Sequence, residues 1–225
     1  MKSSNDGLDI VMKRYFRMIY RPTDVVEELA STPVNLMNTF IIVAVSALLL
    51  VAGIFIAGDA LYTMFHDYAY SYPLEIVTSG QIFGYYLPFD YSVLVFITDI
   101  IFCIKAWVFL SILLFIFLRI FKYQISIKRV AQIIGWSIFP FGIIMFATSL
   151  VCLGLKYILP LIFHFIYFGV LAAVFIGIAP IIVYIFLQRF NVSVYNAFRS
   201  YYLSLFIVFI IWTFNHADKV LSLVW

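Results

Sequence analysis

The chain has 225 residues, 65% of them hydrophobic and 11% charged, with a formal charge of +3 and a mean hydropathy of +1.09. A water-soluble fold of that composition would expose more apolar area than monomeric soluble proteins carry, so the bilayer is the expected solvent. The basic excess lies in short patches beside apolar runs, which argues for lipid headgroups as partners and against nucleic acid.

Three patches hold eleven of the fourteen Lys and Arg residues: Lys2 to Arg21, Arg119 to Arg129, and Arg189 to Arg199. They alternate with apolar runs, and the 59–90 segment carries Asp59, Asp67, Glu75 and Asp90 with no Lys or Arg. That asymmetry is the positive-inside pattern and places the patches on the cytoplasmic side.

In chain order, residues 1–38 read as cytosolic or interfacial. Leu8, Val11, Tyr15 and Met18 recur at helical spacing until Arg21 and Pro22 interrupt them. A second short helix is expected from there, with Val25, Val26 and Leu29 as a stripe that rests on the membrane surface or on neighbouring spans. The first 30 residues lack an apolar signal-peptide core, so the first span is expected to serve as the insertion signal.

The membrane region, 39–225, divides into five expected spans at about 39–58, 91–118, 132–154, 158–187 and 197–214. The fold class is thus all-α and polytopic, with the N-terminus inside and the C-terminus outside. Between the first two spans lies a tyrosine-rich outer loop, 59–90, where Pro73, Gly80, Gly84 and Pro88 limit regular structure to short pieces. Two spans rather than three fit 131–187, because two bring Arg189 and Arg199 back to the inner side. Asn191-Val192-Ser193 then lies inside and is a chance match to the glycosylation pattern.

Within the spans, Asp99 and Lys105 are the acid and base that sit in the second apolar run, where a charge at mid-span costs about 2.5–3.5 kcal/mol. Six residues apart, they point about 120° apart around a helix and need partners elsewhere. His164 in the fourth span falls at similar depth to Asp99, so an Asp99–His164 hydrogen bond is expected. As a relay, Asp99, Lys105 and His164 would serve a small transporter or a proton or ion channel; as a buried polar cluster they would fix helix register, and that reading is preferred. Gly169, Ala173 and Gly177 recur every four residues and predict close helix packing, within the protomer rather than across a homo-oligomer. Pro140 and Pro180 predict kinks.

Catalysis is not expected. No Gly-x-Gly-Asp, Gly-x-Ser-x-Gly or His-Glu-x-x-His is present, and His66, His164 and His216 are scattered. Cys103 and Cys152 lie in separate apolar runs as inert thiols, so no metal or cofactor is expected.

Three stretches give the chain its likeness to a known family. Tyr20-Arg21-Pro22 leads through a short amphipathic segment to Pro33 before the first span. Ser126-Ile127-Lys128-Arg129 leads to Gly135-Trp136-Ser137-Ile138-Phe139-Pro140. Asn191-Val192-Ser193 runs through Asn196-Ala197-Phe198 into the last span. In this order they resemble the Yip family of Ypt/Rab-interacting membrane proteins, over residues from about 12 to 214. The resemblance implies a five-span scaffold that acts as an adaptor or organiser of membranes and complexes. Rab-type GTPase binding is implied only for the eukaryotic members, at Golgi or endoplasmic-reticulum membranes. With about 38 residues before the first span, this chain is shorter there and looks like a prokaryotic, plasma-membrane member. Its basic loop, Arg119, Lys122, Lys128 and Arg129, is the expected surface for lipids or for membrane and cytosolic proteins.

Overall fold

The computed structural model describes residues 4–69, 89–155, 166, 169, 170 and 172–215, and these are helical, with no strand among them. Helix α1 is Ser4–Tyr20, and α2, Pro22–Ser31, follows after one residue. The break is at Arg21, whose backbone leaves the helical region (φ −140, ψ 62), and Pro22 restarts the helix where its missing N–H costs nothing. Thr32 is extended, as the residue before a proline prefers. The Asn35 side chain then accepts the Asn38 N–H at 3.1 Å and caps α3, Leu36–Ala69.

Helix α3 runs on through Ala69, past the end of the apolar run and into the segment read from sequence as outer loop. Hydropathy marks where the chain leaves the bilayer, and a helix need not stop there. Helix α4 is Phe89–Ile120. The next apolar stretch is split into α5, Ile127–Ile138, a 3-10 turn at Phe139–Phe141, and α6, Gly142–Leu155. A π-helical turn, Ala173–Ile178, leads into α7, Ala179–Gln188, and α8 is Val194–Asn215. Among the described residues four segments are long and apolar enough to cross a membrane: Leu36–Gly53, Ile100–Ile120, Ile127–Val151 and Val194–Ile211. Ala173–Gln188 is a shorter apolar one.

Helix directions alternate once the shorter α7 is counted: α4 and α7 run opposite to α3, α5–α6 and α8. Gly135 faces Thr39 and Val43, Gly142 faces Ser46, and Phe146 and Ser149 face Gly53, so α5–α6 runs parallel to α3. Trp107 of α4 donates to the Ala131 carbonyl while Phe102 lies near Phe139, so α4 runs the other way. The Arg199 guanidinium sits over Phe121, and Phe206 and Phe209 lie near Phe102 and Ala106, which makes α8 antiparallel to α4.

The α5–α6 segment is the centre of the bundle: 72% of an 18-residue window within Ile127–Val151 is buried, against 22% of the windows within Ile100–Ile120 and Val194–Ile211. Its composition explains the difference. Gln132, Gly135, Ser137, Gly142 and Ser149 are small or polar, cheap to bury between helices and poor against lipid, whereas α4 turns Ile97, Ile101, Ile112 and Ile116 outward.

Two proline breaks are satisfied in different ways. Pro140 cannot continue the helical ladder, and the chain tightens so that the Gly142 N–H bonds to the Phe139 carbonyl. Pro180 has no N–H for the Ile176 carbonyl, and the π turn directs the Ala179 N–H to Val174, which also frees the Phe175 carbonyl. The Tyr201 hydroxyl donates to Phe175 O at 2.9 Å and the Tyr202 hydroxyl to Ile176 O at 2.7 Å. Both orphan acceptors are thereby paired within the apolar region. The Tyr201→Phe/Tyr202→Phe double variant is expected to lose about 1–3 kcal/mol, read as a lowered unfolding midpoint in detergent.

Candidate functional site

One end of the helix bundle carries a collar built from α1, α2 and the two short connections. The apolar stripe of α1–α2 rests on the bundle: Val11, Tyr15, Met18, Val25, Val26 and Leu29 are buried, α2 against α7 and α1 against the 3-10 turn. Of the two resting places open from sequence, the structure uses the neighbouring helices. Tyr15 reaches furthest, accepting a hydrogen bond from Ser46 Oγ at 3.1 Å. Burial pushes its hydroxyl above the ordinary value of 10.0, opposed more weakly by Ser46 and the Ile143 backbone.

Ion pairs fold the collar on itself. Arg14 donates twice to Glu28 Oε1, at 2.8 and 2.6 Å, and Arg17 reaches Glu28 Oε2 at 3.3 Å. Arg189, just after α7, pairs with Glu27. Arg129 does more. It donates to the Leu29 carbonyl (2.7 Å), the Thr32 carbonyl (2.9 Å) and Gln132 Oε1 (2.7 Å), so one guanidinium caps the C-terminal end of α2 from the start of α5.

The connections that follow α4 and α7 end their helices alike. The Tyr123 N–H bonds to Leu118 O and the Lys122 N–H to Arg119 O; in the other turn the Val192 N–H bonds to Leu187 O and the Asn191 N–H to Gln188 O. Each is a Schellman cap with its turning residue left-handed, Lys122 at φ 67 and Asn191 at φ 58. Glycine is the usual occupant there, and the Lys122 side chain stands exposed. The turns are tied together where the Tyr123 hydroxyl accepts from Asn196 Nδ2 (3.0 Å) and the Ser193 N–H (3.3 Å). Those donors, Asn196 first, hold the Tyr123 hydroxyl below its usual pKa.

The four residues of the expected basic loop therefore part company. Lys122 and Lys128 are exposed without an ion pair among the described residues, and Arg119 is exposed over the Phe115 ring at 5.1 Å. Arg129 turns inward and is a structural cap, which corrects its assignment to the lipid- or partner-facing surface. Spacing could not reveal this, since the Leu29 and Thr32 carbonyls lie about a hundred residues away in sequence.

The polar residues assigned to the spans are not gathered by the described structure. Lys105 is exposed on α4, inside the apolar stretch Ile100–Ile120. Asp99 immediately precedes that stretch; its side chain and the whole of His164 lie outside the described residues, and with them the expected pair. Gly169, Ala173 and Gly177 are exposed, and a Cβ on either glycine would meet nothing within 4 Å among the described residues. The small face expected to pack inside the protomer points away from it, and Gly53, Gly135 and Gly142 make the close approaches instead.

No family model, curated protein or solved structure matches the chain.

Proposed function

We propose that the chain is a five-span integral membrane protein with its N-terminus inside, a non-enzymatic adaptor or organiser of the kind its resemblance to the Yip family implies. The alternating helix directions support five crossings, with Ala173–Gln188 as the inner part of the fourth. The observation that carries the functional reading is the division among the inner cations. Arg14, Arg17, Arg129 and Arg189 hold the collar together, while Arg21, Lys122 and Lys128 are exposed and unpaired among the described residues. A rigid, folded surface displaying free cations is suited to an acidic protein partner or to anionic headgroups. The outer side of α1 adds exposed Ile10, Phe16 and Tyr20 beside Lys13 and Arg17, a mixture that suits the membrane interface. Lys105, turned outward, gives the transport alternative no support.

The test is the Arg21→Gln/Lys122→Gln/Lys128→Gln variant of the full chain, purified beside the parent from native membranes. The proteins that co-purify with the parent are expected to fall about fivefold for each lost cation, at about 1 kcal/mol apiece, and so roughly a hundredfold for the three, with an unchanged melting temperature. Unchanged partners at equal recovery would overturn the reading.

A further inference from the structure

We propose that the lateral groove between α4, the π turn and α8 is a binding site for one inner-leaflet phospholipid, with its phosphate on Arg199 and an acyl chain along α8. The groove encloses about 1250 Å³ and is apolar along its walls, which include Phe102, Ala172, Phe175, Phe206 and Phe209. Arg199 is its one charged wall residue among the described residues, standing at the end of the groove from which α8 starts.

Three features fit a phospholipid rather than a second copy of the chain or another helix. The first is charge. Arg199 is exposed, with no carboxylate paired to it among the described residues, while Arg14, Arg17 and Arg189 each have one. Its guanidinium lies over the Phe121 ring at 5.0 Å and over the Tyr195 ring at 5.8 Å, contacts that leave donors free for a phosphate. Lys122, exposed one residue beyond Phe121, adds a second cation near the same end. The second is length. From Arg199 to Phe209 is ten residues of helix, about 15 Å, which is half the roughly 30 Å hydrocarbon core and so the depth of one leaflet. The third is the wall itself. Tyr202 could have offered a hydroxyl to a ligand, but it is tied to the Ile176 carbonyl, so below Arg199 the groove presents hydrocarbon. Phe102, Ala106 and Phe175 also wall a partly open apolar pocket of about 180 Å³ against the α5–α6 break, so the groove backs onto space rather than a filled core. The site rests on the proposed orientation, with the N-terminus inside, and it stands or falls apart from the collar's partner.

Native mass spectrometry of the full chain in mild detergent tests this with three probes of identical chains: phosphatidylglycerol, phosphatidylcholine and diacylglycerol, which lacks the phosphate. The parent is expected to retain one phosphatidylglycerol most strongly and diacylglycerol least. Arg199→Gln removes the headgroup contact and Ala172→Trp fills the groove while leaving Arg199 in place. Each is expected to weaken phosphatidylglycerol binding about fivefold or more, with the melting temperature of the lipid-free protein as the check on folding. Diacylglycerol binding equal to phosphatidylglycerol overturns the proposal, as does parent-like retention by either folded variant, because the site needs headgroup and chain contacts together. Should Arg199→Gln fail to fold, Arg199→Lys takes its place, with weaker retention again expected because an ammonium cannot offer the planar fork.

Discussion

Replacing Gly142 with leucine is expected to lower the stability of the folded chain in detergent by about 3 kcal/mol, the upper part of the range for overpacking. A Cβ at this position would stand 2.6 Å from the Ser46 carbonyl oxygen and 3.2 Å from the Ser46 Cα and carbonyl carbon. All three are backbone atoms of α3, so no rotamer change relieves the contact and the helices themselves must separate. Gly53 provides the reciprocal approach, 3.2 Å from the Phe146 Cα and 2.9 Å from Ser149 Oγ. Between helices in lipid, close packing is the main attraction, since hydrocarbon solvates leucine as well as a protein does. The control has the opposite sign. Gly177→Ala meets nothing within 4 Å among the described residues and removes a helical glycine, so it should be neutral or stabilising by up to about 1 kcal/mol. Unfolding midpoints of both variants in one detergent decide the matter; a Gly142→Leu protein as stable as the parent would show that the α3–α6 contact is not tight.

The same glycines show how far the sequence could be read. Apolar runs and basic patches are properties of single segments, so the five spans expected from composition include the four membrane-length segments seen among the described residues, and the faces of α1 and α2 are legible too. Pro140 forecasts its break for the same local reason. Helix packing is a property of pairs. Gly169, Ala173 and Gly177 drew attention because they repeat on one helix, whereas Gly53 and Gly142 sit on different helices and share no period. Pro180 does announce an unpaired carbonyl at Ile176 that a neighbouring group must satisfy. That Tyr202 supplies it depends on how α8 crosses the π turn. The overshoot of α3 past Gly58 has another cause: polarity tells where lipid ends, while Ala60, Leu61 and Met64 still favour a helix. Arg129 is the hardest case, since its neighbour Lys128 has the same charge and loop and a different task.

Arg129→Ala is expected to release the collar, with amide exchange across α1 and α2 accelerated roughly a hundredfold, equivalent to about 3 kcal/mol. The magnitude follows from what the guanidinium holds. It makes charge-assisted bonds to the Leu29 and Thr32 carbonyls and to Gln132, and Gln132 is only 2% exposed, so its oxygen would be left buried and unpaired. By comparison the Arg14–Glu28 bridge is part-exposed, 20% and 34% on its two sides, and Arg189–Glu27 more so. Such pairs contribute about 1 kcal/mol or less, so Glu28→Gln should accelerate exchange fivefold at most. Arg129→Lys belongs near the alanine variant, because one ammonium cannot bridge two carbonyls and an amide in the fork geometry. Lys128→Ala should exchange like the parent. That ordering separates the two adjacent cations of one loop: if Lys128→Ala frees the collar and Arg129→Ala does not, the cap is not what holds α2. If the ordering holds, partner loss on neutralising Lys128 reports the exposed surface, whereas the same loss on neutralising Arg129 would report a detached collar.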